Sequence, residues 1–322
     1  QDGSGRGVFG QRFDASGAPA GVEFLVNSTT AGDQYVGDVA MAADGSFIVV
    51  WDSFSADYLE SDVLGQRFSA LGAKVGAEFP VNSTTVDYQK SGQIAVAPSG
   101  AFVGVWASVN QDGSGSGIFG QRFDANGVPA GAEFAVNSAT EGDQAQPAIA
   151  VDGSGAFIAS WNSRSEAGEK ARILARLFDQ DGEPTSGELE VSESVENDHG
   201  SSSLAVDGLG NFFVAWTAYL PNSIPTVDAC SLAYGRRFDA RGVPLQGEFR
   251  LNDTTCYTGG PQVVAGLPLA FATSWHSRGG WHNLAILDVY VKTFAVFFFG
   301  GDFEAGDVCA WSAAAGSGDS CP

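Results

Sequence analysis

The sequence is poor in basic residues, histidine and methionine. Lysine and arginine total 16 against 38 aspartate and glutamate residues, which gives a formal net charge of −22. A surface this acidic repels nucleic-acid phosphates and anionic lipids, so we expect no nucleic-acid partner and no membrane insertion. With three histidines and four cysteines, we expect no metal site and no cofactor, apart from a calcium ion at an acidic turn.

Long apolar segments are also missing. The nearest candidate for a membrane span, residues 283–299, is short and is interrupted by Asp288 and Lys292. Glycine is abundant, with 43 residues, and hydrophobic residues make up 44% of the chain. This combination is typical of many short strands joined by tight turns. The chain starts at Gln1 without a methionine, as a processed mature chain would.

Aromatic residues recur with a period near 55 residues. The tryptophans of this series are Trp51, Trp106, Trp161, Trp216 and Trp275, and the phenylalanines are Phe13, Phe68, Phe123, Phe178 and Phe238. Such a period with strand-like content indicates propeller blades. Each unit reads as four short strands joined by glycine-containing turns, so we predict an all-β fold, a β-propeller of four-stranded antiparallel blades. We expect the five tryptophans to be buried between blades.

The number of blades depends on how the two ends of the chain combine. Residues 8–26 have the pattern of an outer hairpin, whereas the chain ends with an inner strand pair and one more strand, residues 287–299. If the first hairpin completes the last inner pair, five blades close a ring and the last strand is surplus. A degenerate sixth blade and a non-propeller β-solenoid are the alternatives. We predict five blades, with a propeller domain over residues 1–294 and a C-terminal tail over residues 295–322.

Each outer hairpin carries an arginine and a glutamate at a nearly constant offset, which predicts a cross-strand ion pair. The pairs are Arg12/Glu23, Arg67/Glu78, Arg122/Glu133, Arg176/Glu188 and Arg237/Glu248. In the same register Cys230 lies opposite Cys256, which leaves Cys309 to pair with Cys321. Two disulfides imply an oxidising compartment, so we expect a secreted protein, extracellular or at a cell surface.

The connectors between blades repeat acidic and amide residues on the face where propellers often bind ligands. They predict a small ligand site in each blade, built from Asp33, Gln34, Asp87, Gln89, Asp143, Gln144 and Asp198. The alternative is that these side chains bind the backbone of neighbouring blades. Asp-Gly pairs such as Asp44-Gly45 favour hairpin turns over calcium loops. Since the common catalytic motifs are missing from the sequence, we expect no enzyme.

Two non-catalytic functions fit these features. The apolar last strand contains Val289, Val291, Phe294, Phe297 and Phe298, and it could pair with another molecule. The first hypothesis is therefore a structural or adhesive protein that assembles head-to-tail into a homo-oligomer or filament. The second is a lectin-like propeller that binds cell-surface or matrix glycans at repeated sites.

Residues 118–163 read IFGQRFDANGVPAGAEFAVNSATEGDQAQPAIAVDGSGAFIASWNS. This segment resembles tandem repeats of large secreted bacterial proteins, and the likeness extends over residues 1–294. It implies a propeller-like fold but no particular ligand. The tail from Gly301 to Trp311 resembles the GFESGD segment at the carboxyl ends of bacterial exported proteins, which implies export or attachment to the cell surface.

Overall fold

The chain folds into antiparallel β-sheets. The computed structural model describes residues 4–165, 169–220, 231–252, 258–265, 270–278 and 287–295. The strands are β1 (Phe9–Gly10), β2 (Phe24–Leu25), β3 (Gln34–Met41), β4 (Phe47–Phe54), β5 (Ser61–Phe68), β6 (Lys74–Pro80), β7 (Gln89–Val96), β8 (Phe102–Val109), β9 (Ser116–Phe123), β10 (Phe134–Ala135), β11 (Asp143–Val151), β12 (Phe157–Arg164), β13 (Arg172–Phe178), β14 (Leu189–Glu190), β15 (Asp198–Val206), β16 (Phe212–Tyr219), β17 (Ser231–Phe238), β18 (Phe249–Arg250), β19 (Thr258–Ala265), β20 (Ala270–Arg278) and β21 (Leu287–Ala295). Over these ranges, no helix has the length and apolar character needed to span a bilayer.

Consecutive groups of four strands form blades. Strands β3–β6, β7–β10, β11–β14 and β15–β18 make the first four blades, and β19–β21 make a three-stranded fifth blade. The first strands β3, β7, β11, β15 and β19 lie side by side in chain order and are the innermost strands of the blades. The predicted all-β propeller of antiparallel four-stranded blades is therefore confirmed, with five inner strand pairs as expected.

The two ends of the chain combine differently from the prediction. Strand β21 pairs with β20, with Phe294 opposite Phe271, so the last strand is not surplus. The hairpin of β1 and β2, within residues 8–26, forms a separate two-stranded sheet and does not complete the fifth blade in this structure. Val289, Val291 and Phe294, expected to pair with another molecule, lie on β21 within the chain's own sheet.

Several predictions fall on residues that the structure does not describe. They concern the cysteine pairs Cys230–Cys256 and Cys309–Cys321, the apolar residues Phe297 and Phe298, and the tail beyond residue 295. The disulfides and the separate tail therefore remain predictions.

The turns between first and second strands are closed by aspartate. The Oδ1 atom of Asp44 accepts hydrogen bonds from the amide of Ser46 at 2.9 Å and from its hydroxyl at 2.6 Å. Gly45 has a φ of +82°, a backbone conformation that glycine adopts at no steric cost. These carboxylates are thus engaged within their own turns. Among the described residues, no three His, Cys, Asp or Glu side chains are grouped to hold a metal ion.

The apolar core lies within and between the blades. Trp51, Trp106, Trp161 and Trp216 are fully buried, as predicted, while the side chain of Trp275 is outside the described set. In each of the first four blades, a phenylalanine of the second strand stacks on one of the third strand, with ring centroids 4.8 Å apart. Phe13 belongs to the same series, but it is 61% exposed because β1 pairs with β2 and with no other described strand.

The predicted ion pairs within the hairpins are wrong. These pairs are Arg12/Glu23, Arg67/Glu78, Arg122/Glu133, Arg176/Glu188 and Arg237/Glu248, and none of them forms a salt bridge among the described residues. Phe134 lies opposite Gly120, a register that places Glu133 opposite Gln121 instead of Arg122. A slip of one residue turns a side chain to the other face of the sheet, which separates the two charges.

The same arginines and glutamates connect neighbouring blades instead. Arg12 donates from Nη1 to the carbonyl of Ala70 at 2.8 Å, in the turn of the next outer hairpin. Equivalent bonds join Arg67 to Asn126 and Arg122 to Gln180. We call these contacts the arginine latch.

A glutamate latch runs in the opposite direction. Glu78 accepts from the amide of Ser28 at 2.6 Å and from the Thr29 hydroxyl at 2.6 Å, at the exit of the preceding hairpin. The bonds of this kind in the later blades are Ser83 N to Glu133, Ser138 N to Glu188 and Glu193 N to Glu248. Together, the two latches hold successive outer hairpins side by side.

Candidate functional site

All innermost strands carry a bulge in their first half. The pairing with the second strand shifts between Val36 and Asp38 in blade 1 and at the matching place in the other four blades. Ser91, Gln146 and Ser201 lie at these bulges with φ values of +59°, +51° and +52°. Strained residues of this kind often lie at functional sites. The bulges also release backbone amides from the sheet, which makes them available to acceptors on the neighbouring blade.

Two aspartates of blade 1 reach the bulge of blade 2. The Asp52 carboxylate accepts hydrogen bonds from the amides of Ser91 at 2.7 Å and Gly92 at 3.1 Å. Asp38 accepts from the amide of Ile94 at 3.1 Å, two residues further along the same strand. Since Ser91, Gly92 and Ile94 belong to one strand segment, the two carboxyl groups lie near one another at the junction of blades 1 and 2.

Burial raises the pKa of both groups. The pKa of Asp38 lies above its usual value because the surrounding protein displaces water, although the amides of Ile94 and Val39 act in the opposite direction. The pKa of Asp52 is raised for the same reason, and its two amide bonds and the positive charge of Lys90 oppose the change. Both side chains remain partly accessible. Of the described carboxyl groups with a resolved shift, these two alone are displaced upward.

A polar cleft of about 410 Å³ opens beside them on the face that carries the blade connectors, which we call the connector face. Lys90, the neighbour of Asp52, forms part of its wall. Further in, Arg164 donates to both oxygens of Asp198 at 2.8 Å. Tyr219 is 42% exposed at the same cleft, so the site offers ionic groups and one aromatic surface.

Amides in the cleft wall are held by a second bulge contact. The Gln146 carbonyl oxygen accepts from Asn162 Nδ2 at 2.7 Å and from the amide of Ser201 at 3.0 Å. His199 lies edge-on to Trp216, and burial lowers the pKa of its imidazole, which favours the neutral ring. The wall therefore combines fixed hydrogen-bonding groups with one neutral imidazole.

An aromatic group lies on the connector face of blades 1 and 2. The ring of Phe54 contacts Tyr35, Tyr58 and Tyr88 at centroid distances of 5.3, 6.2 and 6.3 Å. The hydroxyls of Tyr58 and Tyr35 donate to Asp33 at 2.6 and 3.2 Å. The bond from Tyr58 is the main reason that the pKa of Asp33 lies below its usual value. Aromatic rings with fixed hydroxyls can stack on the apolar faces of sugar rings.

The aspartates predicted as ligand residues have backbone partners. Asp33, Asp143 and Asp198 accept from the amides of Arg6, Ser116 and Ala171, at 2.8, 3.2 and 2.8 Å. In each case the amide lies 27 residues earlier, on the preceding blade. Asp87 is offset by one position, has a φ of +64° and accepts from Asn110 Nδ2 at 3.2 Å. Asp143 and Asp198 also line the cleft, so their ligand role remains a prediction.

The predicted glutamines lie deeper. Gln34 and Gln89 are buried and accept from the indole nitrogens of Trp51 and Trp106 at 3.0 and 3.2 Å. Gln144 is also buried and donates to the carbonyl of Glu141 at 3.0 Å. Their amides therefore fix the tryptophans and the connector backbone.

A larger cavity of about 510 Å³ lies on the opposite face, between the turns of blades 1 and 2. Its walls include Asp44, whose carboxylate is held by Ser46, and Arg67, which belongs to the arginine latch. The raised carboxyl pKa values are found instead at the connector face, which is why we take the smaller cleft as the candidate site.

Sequence reasoning missed Asp38, Asp52 and Lys90. A signal was present, because the residue after each repeated tryptophan differs between copies: Asp52, Ala107, Asn162, Thr217 and His276. Positions of structural importance are filled alike in every blade, whereas these vary. Divergence at one aligned position of a repeat was therefore the available clue to a site that only some blades build.

Comparison with solved structures identifies proteins with this fold. The α-L-arabinofuranosidase of Fusarium graminearum bound to an iminosugar inhibitor is 13% identical, with a TM-score of 0.54 over 79% of this chain and 80% of that one. The same enzyme bound to arabinobiose gives 12% identity and a TM-score of 0.52 over 80% of each chain. An α-L-arabinanase of Penicillium chrysogenum bound to arabinobiose gives 13% and 0.50, over 76% of this chain and 77% of that chain. No protein-family model matches this chain, and no curated protein matches it in sequence.

These findings correct the functional expectation. A non-catalytic structural or adhesive protein that forms a filament was predicted, with a lectin-like propeller as the alternative. The similar structures named above are glycoside hydrolases, which overturns the expectation of a chain that is not an enzyme. The strand proposed to join molecules is already paired with β20, so the physical basis for head-to-tail assembly is also lost.

Proposed function

We propose that this chain is an extracellular carbohydrate-active enzyme that binds an oligosaccharide on the connector face and hydrolyses a glycosidic bond. The observation that carries the proposal is the pair of partly buried carboxyl groups, Asp38 and Asp52, beside the polar cleft. The names of proteins with the same fold, an arabinofuranosidase and an arabinanase, support a glycan as substrate.

Glycoside hydrolysis requires two carboxyl groups in different protonation states. We assign the acid to Asp38, because burial raises its pKa without a neighbouring cation to oppose the change. A protonated Asp38 would give its proton to the leaving oxygen. We assign the base or nucleophile to Asp52, because two amides and Lys90 favour its ionised form. One acid and one carboxylate at the same junction match the chemistry of the reaction.

The cleft supplies the means to hold a sugar chain. Asn162 and the Arg164–Asp198 pair present donors and acceptors suited to hydroxyl groups, and Tyr219 presents an aromatic ring. Ring stacking combined with hydrogen bonds from fixed side chains is a general way to bind saccharides.

The first prediction concerns the carboxyl pair. We expect Asp52→Asn and Asp38→Asn each to lower kcat/KM by about 10³-fold or more, because each removes a group that acts in the transition state. The assay uses aryl α-L-arabinofuranosides, arabinan and a panel of other pentosides and hexosides. Asp44→Asn, a change in a turn on the opposite face, is the matched control and should retain activity. Absence of hydrolysis across the panel, or full activity of Asp52→Asn, would refute the assignment.

A further inference from the structure

We propose that the hairpin of β1 and β2 closes the propeller ring by pairing with β20 of the same chain, at the edge that β21 occupies in this structure. The described chain contains five inner strand pairs and five outer hairpins when the first hairpin is included. Four hairpins are joined to inner pairs in their own blades. The first hairpin and the last inner pair are therefore the halves left for each other.

The phenylalanine series identifies the register of this pairing. Phe47, Phe102, Phe157 and Phe212 of the second strands lie opposite Phe68, Phe123, Phe178 and Phe238 of the third strands. The remaining members are Phe271 on β20 and Phe13 after β1. Phe294 of β21 lies opposite Phe271 in this structure, and Phe13 is mostly exposed. Phe13 and Phe294 thus fit the same position, and only one of them can hold it at a time.

The backbone of β1 is also oriented for this contact. The amide of Val8 donates to Asn27 Oδ1 at 2.8 Å, as the amide of Ile118 does to Asn137 in blade 2. Successive amides of a strand point to opposite edges, so the Phe9 amide faces the open edge of the hairpin. In blade 2 the equivalent residue, Phe119, lies opposite Trp106. By the same register, Phe9 would lie opposite Trp275.

Both latch series end without a partner at the place where the ring would close. Glu23 is exposed, whereas Glu78, Glu133, Glu188 and Glu248 are partly buried in their latches. Closure would bring Glu23 to the exit of the fourth hairpin, where Asn252-Asp253-Thr254 repeats the pattern of Asn27-Ser28-Thr29.

The arginine series leads to the same junction. The buried Nε of Arg237 has no hydrogen-bond partner. Arg12, Arg67 and Arg122, which occupy the equivalent position in other blades, donate to the turn of the next hairpin. After closure the next hairpin is the first one, so Arg237 would face the turn at residues 14–17.

The apolar surface at the open side points to the same partner. Val36, Val39 and Met41 of the innermost strand β3 are each more than half exposed, and so is Val264 of β19. These residues lie on the first and last innermost strands, which become neighbours when the ring closes. Closure would remove them from water, and this burial favours the closed form.

The test compares matched residues of the latch series in the full chain. We expect Glu23→Gln to lower the melting temperature by about 1–3 °C, as Glu78→Gln does, because both carboxylates would then hold a neighbouring hairpin. Phe13→Ala should lower it by several degrees, since Phe13 would stack on Phe271. The Phe9 amide should exchange slowly with deuterium, because it would be bonded to β20.

Three outcomes would overturn the proposal. The first is unchanged melting of both Glu23→Gln and Phe13→Ala, as expected for a free hairpin. The second is rapid exchange at Phe9. The third is a loss of stability whose size depends on protein concentration, since that would identify the partner as a second copy of the chain. None of these measurements involves a glycan, so the result is independent of the proposed activity.

Discussion

At the scale of single residues, aspartates of this chain respond to two opposing effects. In the turns, Asp44 accepts hydrogen bonds that stabilise the charged form, so its pKa lies below the usual value. At the junction of blades 1 and 2, burial outweighs the hydrogen bonds to Asp38 and Asp52, so their pKa values are raised. The same residue type is therefore structural in one place and reactive in another, and its environment makes the difference.

This contrast predicts opposite pH dependences for two Asp→Asn variants. A raised pKa in the folded state means that ionising Asp38 destabilises the fold as pH rises through that pKa. The stability of Asp38→Asn relative to the parent should therefore increase between about pH 4 and pH 7. For Asp44, whose pKa is lowered, the parent gains stability above the unfolded-state pKa, so Asp44→Asn should become relatively less stable over the same range. Melting temperatures measured across this pH range would reveal both trends, and parallel curves would contradict the assignment of the two environments.

At the scale of elements, the bulges bring neighbouring innermost strands into close contact. Gly37 of β3 lies so near β7 that a Cβ atom there would be 2.4 Å from the carbonyl oxygen of Gly92 and 3.2 Å from that of Val50. Both obstacles are backbone atoms, which cannot rotate away. Glycine at position 37 is thus required by the distance between blades 1 and 2, which also positions Asp38.

We therefore expect Gly37→Ala to destabilise the protein by about 1–3 kcal/mol, the usual cost of overpacking. The variant should also lose activity, because the strand that carries Asp38 must shift. Gly153→Ala is the matched control: it lies in a turn, and a Cβ atom there would meet nothing within 4 Å. Urea unfolding of both variants measures the difference, and equal stability of the two would show that the blades tolerate the extra methyl group.

At the scale of the whole molecule, the net charge of −22 acts against the compact state. Only a few of the carboxylates form salt bridges in the described part of the chain, for example Asp198 with Arg164 and Glu193 with Arg236. The remaining negative charges repel one another across the surface. Screening by salt shortens the range of this repulsion from about 30 Å at 0.01 M to about 8 Å at 0.15 M.

Raising NaCl from about 0.01 M to 0.15 M at pH 7 should therefore increase the melting temperature by a few degrees. At about pH 4, where the carboxyl groups are half protonated, the gain should be much smaller. Calorimetry at both pH values makes the comparison. A melting temperature that falls with salt at pH 7 would mean that attractive ion pairs outweigh the repulsion.

The sequence by itself determined the repeating architecture, because periodic burial is encoded in residue types. The spacing of Trp51, Trp106, Trp161 and Trp216 reported the blades, and glycine-containing turns separated their strands. Tertiary structure decided everything that lies between blades. Arg122 and Glu133 looked like partners along one hairpin, yet each binds a different neighbour. Asp52 acquires its raised pKa only from the bulge of β7, about 40 residues away. Contacts across such distances depend on strand register and blade spacing, and neither is written in a local pattern.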